Sequence, residues 1–317
     1  MGSNCAHNNG EKQNFVAAIG GFDGLHRGHA ALLHQAKQKA QMLEVPLVVF
    51  TFAPLPKAYL KGDGFSGSLF NPESNEKEKL LTAAGVDRIC TLKFDEKLAH
   101  LPAHDFIDTY LRRSFNIKDL FVGENFTFGE GGKGAPALLQ ECFEKVTIVP
   151  LLKAPSSVIS SSTIRQALLA GDVEKAEAFL GRPYSLSGIV VHGKGQGRAL
   201  GFPTANVHLP KGQLVPQSGV YAAEVTIHGS SSSEDFSALP RYMAAVNIGT
   251  APTLGGATQP ILEAHLLDFS DDLYGKTITV ALKKQLRQEK KFSSVTELVD
   301  TVQLNIDQTR KLLGGGK

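Results

Sequence analysis

Tryptophan is absent from the 317 residues, and only three cysteines occur, Cys5, Cys90 and Cys142. An odd, widely scattered set argues against a disulfide framework and against a cysteine-based zinc site, and it fits a reducing compartment. No apolar run is long enough to span a bilayer. No run of Lys and Arg marks a nucleic-acid surface. Charge of one sign is lacking too: 33 Lys+Arg stand against 31 Asp+Glu, a net charge of +2. Met1–Gln13 (MGSNCAHNNGEKQ) lacks the apolar core of a signal peptide and reads as a disordered lead. The expected setting is the cytoplasm. What is present is ordinary for a globular protein, with 42% hydrophobic and 20% charged residues and a length that suits about two domains.

The first half alternates short apolar runs with helical patterns. Phe15–Ile19, Pro46–Phe52, Ile89–Leu92, Leu120–Val122 and Val146–Val149 read as strands, and His29–Met42, Asn75–Ala84 and His104–Phe115 as helices. Such alternation predicts a doubly wound α/β domain with a parallel sheet. Two short helices follow, Thr163–Ala170 and Val173–Leu180, with Asp172 as a cap of the second. From Ser185 to Leu286 strand periodicity prevails, with turns rich in Gly, Pro and Ser, and Gly229–Ser237 reads as a mobile hairpin tip. A small antiparallel β-barrel is expected there. Apolar spacing over Ser293–Leu313 predicts a C-terminal helix packed on it. The expected domains are residues 14–182 and 183–317, with the boundary near Gly181–Tyr184.

Gly193–Asn206 (GKGQGRALGFPTAN) is the most informative stretch. Glycines (Gly193, Gly195, Gly197) let backbone N–H groups approach phosphate oxygens. Lys194 and Arg198 add positive charge. After Pro203, Thr204 and Asn206 offer two neutral oxygens two residues apart, on one side of an extended segment. Hard oxygens suit magnesium bound to a nucleotide. Gly-x-Gly-x-Gly by itself also fits a flexible hairpin loop. Gly20–His29 (GGFDGLHRGH) places a glycine-rich turn (Gly21, Phe22, Asp23, Gly24) between a strand and a helix start, the geometry of an anion site. His26 and His29 fall on one face of a first helical turn. They also fit two unrelated surface histidines, or half of a metal site. Ser160–Arg165 (SSSTIR) brings hydroxyls and a guanidinium to a helix start, which suits a triphosphate and equally an ordinary cap. Asn125 lies in Val122–Gly129 (VGENFTFG), and a turn asparagine is its alternative. Glu263, in LEAHLLDF, shares a strand face with His265 and could act as a general base or stand on a solvated face.

These strings, in this order, resemble the bacterial bifunctional riboflavin kinase/FAD synthetases. GKGQGRALGFPTAN resembles their kinase ATP loop, and GGFDGLHRGH their HxGH nucleotidyltransferase motif. SSSTIR is similar to their Ser-Ser-Thr-x-Ile-Arg, with Ser160 and Ser161 on the serines and Ser162 on the threonine. VNIGTAPTLGG (Val246–Gly256) and the Arg287, Lys291-Phe292 segment also have counterparts. The resemblance implies an N-terminal Rossmann-like nucleotidyltransferase domain and a C-terminal kinase barrel. It implies ATP, riboflavin and FMN as substrates, with Mg²⁺ held by Thr204 and Asn206. It implies Glu263 as base of the kinase step. It implies phosphate contacts from His26, His29, Asn125, Ser161, Ser162 and Arg165, and flavin contacts from Asn247, Arg287 and Phe292. His265 is expected to be structural. One departure stands out: TFAPLP (Thr51–Pro56) has Leu55 where the family carries a histidine at the ATP site. Partners are expected to be small molecules, with neither nucleic acid nor membrane, and a homo-oligomer is compatible with this reading.

Overall fold

A computed structural model describes residues 13–113, 115–155, 157–193, 197, 200–229, 239–252 and 258–314. Lys194, Gly195 and Arg198, most of the expected hairpin tip, nearly all of the N-terminal lead and the end of VNIGTAPTLGG lie outside the described residues. The chain divides into two units. One runs to Thr163 without Asn71–Glu73; the other comprises Asn71–Glu73 and Ile164 onward.

The first unit is built from β1 (Asn14–Ile19), α1 (Arg27–Met42), β2 (Leu47–Ala53), α2 (Pro56–Lys61), α3 (Glu76–Ala83), β3 (Arg88–Lys93), α4 (Glu96–Ala99), α5 (Ala103–Phe106), β4 (Asn116–Gly123), α6 (Pro136–Cys142), β5 (Val146–Val149) and a small hairpin of β6 (Lys153–Ala154) and β7 (Ser157–Val158). The helical stretch expected over His104–Phe115 is α5 followed by a π-helical turn, Ile107–Arg112. Five strands form one parallel sheet in the order β3-β2-β1-β4-β5. β1 and β2 are apolar without alternation because both sheet faces are covered. Leu32, Leu33, Ala36 and Ala40 of α1 pack on one face. Leu98, Phe106, Leu111 and Leu139 pack on the other. The chain winds from β1 toward β3, then returns to β4 on the opposite side. The crevice at the strand C-termini between β1 and β4 is therefore the topological switch point, where ligands of such sheets bind. Ile19 and Val122 are register partners there, so the turns after β1 and β4 leave the sheet side by side.

In the second unit a helix, α8 (Val173–Leu180), precedes a closed barrel, and α7 (Ser161–Leu169) crosses the division at Thr163. The strands are β8 (Tyr184–Val191), β9 (Ala205–His208), β10 (Gly219–Ile227), β11 (Arg241–Pro252), β12 (Thr258–Leu266) and β13 (Thr277–Gln288), followed by α9 (Val295–Leu313). They close in the order β10-β11-β12-β9-β8-β13, antiparallel throughout. The sequence pattern changes at Gly181–Tyr184, yet α8 belongs with the barrel. Its apolar face (Val173, Ala176, Phe179, Leu180) is buried, and the helix lies on β13 and β8. Inside the barrel, Leu186, Val190, Val207, Tyr221, Val246, Leu262 and Val280 are buried. Outside it, Ala245 and Leu267 are covered by Ile306 of α9, with Met243, Val302 and Phe202 alongside.

Closure between β8 and β9 requires a close backbone approach at Gly188. A Cβ there would strike the His208 carbonyl and lie 2.7 Å from Val207 Cγ1. Gly188→Ala should destabilise the second unit by about 1–3 kcal/mol. The check is urea unfolding followed by circular dichroism; a wild-type midpoint would show that the β8–β9 seam is looser than described.

Candidate functional site

At the switch point of the first unit, β1 ends in a tight turn. Phe22 and Leu25 adopt positive φ of 47° and 39°, uncommon for non-glycine residues and a form of backbone strain that gathers at functional sites. The buried Phe22 ring holds the turn down. The Asp23 carboxylate faces inward, where Oδ1 accepts from Ser68 Oγ and from the Leu69 N–H, each at 2.9 Å. Gly21 and Gly24 complete the turn, and backbone, rather than the Phe22 and Asp23 side chains, is what it offers to a ligand.

His26 caps α1. Its Nδ1 accepts from the His29 N–H at 3.3 Å, so the proton of the neutral ring sits on Nε2. The two imidazoles stack with centroids 3.7 Å apart. The expected pairing on one helix face is thus realised at the start of α1, whose first N–H groups have no intrahelical partner. Burial, then the charges of His26 and Lys77, holds His29 well below the usual histidine pKa. His29 Nδ1 is shielded from solvent and has no hydrogen-bond partner. Among the described residues no group of three His, Cys, Asp or Glu side chains that could hold a metal ion is present.

Lys77 of α3 also reaches the turn, a placement that the sequence did not reveal. Its ammonium donates to the Gly21 carbonyl at 2.9 Å and to Thr51 Oγ1 at 2.5 Å. Thr51 also donates to Gly21, at 3.2 Å. In the string EKEK, Lys77 looks like one more solvated charge; only packing turns it inward. Leu55 stands at the N-cap of α2, and its Cδ2 would lie 3.7 Å from a Cβ placed on Gly21. It adds apolar contact at the turn and no donor.

Ser161 opens α7, and its Oγ donates to the Asp23 carbonyl at 2.9 Å. The serine of SSSTIR is thereby tied to the glycine turn. Ser160 Oγ accepts from the Thr163 N–H at 3.2 Å, so part of the motif is also a helix cap. Ser162 is exposed, and Arg165 is buried one turn further along α7. Asn125 is exposed in the turn after β4, beside the end of β1.

In the second unit, cross-strand register assembles the other candidates. Asn206 on β9 pairs with Glu263 on β12, Glu263 with Asn247 on β11, Asn247 with Val220 on β10, and Val220 with Arg287 on β13. Residues directly opposite one another point to the same face, with Cβ atoms about 5 Å apart. Four of the sequence-derived residues therefore form one row on the outer face of the barrel, alternating with the interior residues Val207, Leu262 and Val246. Sequence spacing put Thr204 and Asn206 together, but only the register puts Glu263 beside Asn206.

Gly193 and Gly197 of the loop lie directly against Asn206 and Thr204. A Cβ on Gly193 would collide with the Asn206 amide, and one on Gly197 would lie 2.5 Å from the Phe202 carbonyl and 3.4 Å from Thr204 Oγ1. Glycine is required at both for close approach. His265 Nδ1–H donates to the Pro203 carbonyl at 2.8 Å, so this histidine props the Pro-Thr-Ala-Asn segment. At the far end of the row, the Arg287 guanidinium lies over the Phe292 ring at 5.5 Å. Its Nε is buried without a partner, and loss of surrounding water lowers its pKa, opposed by Glu289. The segment carrying Phe292 is anchored by a capping box. Ser294 Oγ accepts from the Glu297 N–H at 3.1 Å, and Glu297 Oε2 accepts from the Ser293 N–H at 2.9 Å. Lys290, 2.9 Å from Glu297, and the Ser293 bonds draw that carboxyl down to about 2.

Two family models match the chain: FAD synthetase over residues 8–163 and riboflavin kinase over residues 180–313. The bifunctional riboflavin kinase/FMN adenylyltransferase of Escherichia coli K12 is 40% identical, with 89% of this chain and 88% of that protein covered. Its Bacillus subtilis counterpart is 36% identical over 92% of this chain and 90% of that one. A crystal structure described as a macrolide-efflux protein from Streptococcus pneumoniae superposes with a TM-score of 0.84, at 35% identity and 95% coverage of both chains. Among the described residues no helix is long and apolar enough to cross a membrane.

The His29 environment gives a pH prediction. The unfolded chain takes up a proton at this histidine near pH 6.5, whereas the folded one stays neutral to lower pH. Stability contributed at this site is present above about pH 6.5 and is lost as pH falls toward the folded pKa. Urea midpoints between pH 7.5 and 5.5 should fall less steeply for His29→Asn than for wild type; parallel slopes would show an ordinary, solvated histidine.

Proposed function

The chain belongs to the family of bifunctional riboflavin kinase/FMN adenylyltransferases, and from that premise we infer which of its residues carry each step. It phosphorylates riboflavin to FMN and adenylylates FMN to FAD. In our reading, residues 183–317 perform the first reaction and residues 14–182 the second. The row Asn206–Glu263–Asn247–Val220–Arg287 is the single observation that carries the assignment. It puts Asn206, Glu263, Asn247 and Arg287 on one barrel face, which supports reading them as metal ligand, base and flavin contacts.

In the kinase step, Glu263 accepts the proton of a ribityl hydroxyl. The hydroxyl oxygen forms a bond to the γ-phosphorus of ATP, the bond to the bridging oxygen breaks, and ADP leaves with that electron pair. Positioning and charge neutralisation supply most of the catalysis in such transfers. The glycine loop receives the phosphates, with Lys194, Gly195 and Arg198 acting alongside Gly193 and Gly197. Thr204 and Asn206, two neutral oxygens under a glycine cradle that a Cβ would fill, fit Mg²⁺. The ion, when bound, neutralises phosphate charge. His265 holds the backbone that carries Thr204. Asn247, Arg287 and Phe292 hold the flavin, the buried Nε of Arg287 being a donor in want of an acceptor.

In the adenylylation step, an FMN phosphate oxygen attacks the α-phosphorus of ATP, and pyrophosphate departs with the electrons of the broken P–O bond. No covalent enzyme intermediate is required. His26 and His29 donate to phosphate oxygens at the start of α1. Backbone of Gly21–Gly24 lines the approach, and Asn125, Ser161, Ser162 and Arg165 complete the set. The weakly basic His29 imidazole acts as a neutral N–H donor, which orients the phosphates without needing a proton from solvent. ATP, riboflavin and FMN are the only ligands this reading needs besides magnesium. We place the reactions in the cytoplasm, where Cys90 and Cys142 remain free thiols.

Chromatography of products tests both assignments in one chain. Glu263→Gln should slow FMN formation from riboflavin by about 10²–10⁴-fold while FAD formation from supplied FMN continues. His29→Ala should do the reverse. Unchanged FMN formation in the first variant would remove Glu263 as base. Unchanged FAD formation in the second would leave the β1–α1 turn without its catalytic role.

A further inference from the structure

The turn after β1 receives a buried ammonium whose hydrogen-bond partners are neutral. Lys77 reaches it from α3, and among the described residues no carboxylate lies within ion-pair distance of its ammonium. Its hydrogen-bond partners among the described residues, the Gly21 carbonyl and Thr51 Oγ1, are neutral. An ammonium has three protons to give, and these two acceptors account for two of them. The groups that bear on it are Asp23 from the turn, His29 from α1 and Glu78 from its own helix. Oδ1 of Asp23 is already committed to Ser68 and Leu69. His26 stacks on His29 on the side of α1. A desolvated cation that lacks a close counter-charge weakens the folded state. Burial pulls this lysine down to about 8, although Asp23 and Glu78 oppose the shift. A solvated alternative was open to it, since Glu78 and Lys79 beside it on α3 are exposed.

We propose that Lys77 is a further phosphate-binding residue of the adenylylation site, whose ammonium neutralises the triphosphate of ATP beside His29. The inference rests on the assignment of the β1–α1 turn as that site. It makes the close counter-charge the substrate itself: the nucleotide brings negative charge to the place where Lys77 reaches the C-terminal ends of β1 and β2. Lys77 transfers no proton. It offers N–H to phosphate oxygens while the α-phosphorus exchanges the pyrophosphate oxygen for the FMN oxygen. It also occupies the turn where Leu55 provides no donor. The charge is present below about pH 8 and is lost as pH rises through that value, and a bound triphosphate holds it to higher pH.

The test uses the full chain with Mg²⁺ in excess. Lys77→Met keeps the length of the stem and removes the charge, and Lys77→Arg keeps a charge that does not titrate in this range. For FAD formation from FMN, Lys77→Met should raise the KM for ATP at least tenfold, with a smaller change in kcat. Wild-type KM for ATP should rise between pH 7 and 9.5, and Lys77→Arg should flatten that rise. FMN formation from riboflavin, measured in the same preparations, should stay within twofold and reports a folded chain. The thermal midpoint of Lys77→Met should not drop, because Thr51 still bonds to Gly21 and a desolvated charge has gone. A wild-type KM for ATP in Lys77→Met, with or without a lowered midpoint, would make Lys77 a structural staple and overturn the proposal. If Lys77→Met fails to fold, a wild-type KM that is flat from pH 7 to 9.5 overturns it equally. Failure of the site assignment looks different: His29→Ala would then also form FAD normally.

Discussion

The pairing of β9 with β12 is the interaction on which the kinase half depends. β9 is four residues long, and it closes the barrel between β12 and β8. Its register sets Asn206 opposite Glu263, and the next pairing sets Glu263 opposite Asn247. A slip of one residue would turn every side chain of β9 to the other face, sending Asn206 into the barrel and Val207 out. The buried Ala205 and Val207 prevent this, since they fill the interior. Hydrophobic burial in the barrel thus fixes the geometry of a polar row on its outside. Gly188 and Gly193 serve the same seam from β8: the first allows close approach of β9, the second makes room for the Asn206 amide.

The first unit solves a different problem. Its sheet is buried on both faces, so polar chemistry is confined to the strand ends. The C-terminal ends of β1 and β4 emerge together at the switch point, and the helix α1 starts there. Strain at Phe22 and Leu25 and the inward carboxylate of Asp23 hold the turn in one shape. Ser161 is tied to it through the Asp23 carbonyl. Lys77 enters the turn as a buried cation, with Asp23 and Glu78 as the carboxylates that bear on it.

Much of this was legible in the chain itself. Alternation of apolar runs with helical spacing foretold the parallel sheet, because strands covered on both faces must be apolar throughout. The strand-rich stretch after Ser185 foretold a barrel, and the glycine strings marked both loops. Several details were not legible. Residues Ala205–His208 are too short for a period-2 pattern to show, so β9 was visible only as an extended piece. The helix α8 reads as part of the first half, yet its apolar face lies on the barrel. Lys77 was hidden because a lysine between glutamates on a short helix has the pattern of a solvated face.

The sequence alone determined the types of chemistry available: which loops could receive phosphate, which oxygens could hold a hard cation, which carboxylate stood on an apolar strand. Those properties follow from residue identity and local spacing, and they survive without knowledge of the fold. Tertiary structure alone decided which of these groups meet. Asn206 and Glu263 are 57 residues apart in the chain and adjacent in the sheet. Lys77 and Gly21 are 56 apart and hydrogen-bonded. Such pairings depend on strand register and on the packing that buries one face and not the other, and no local pattern encodes them.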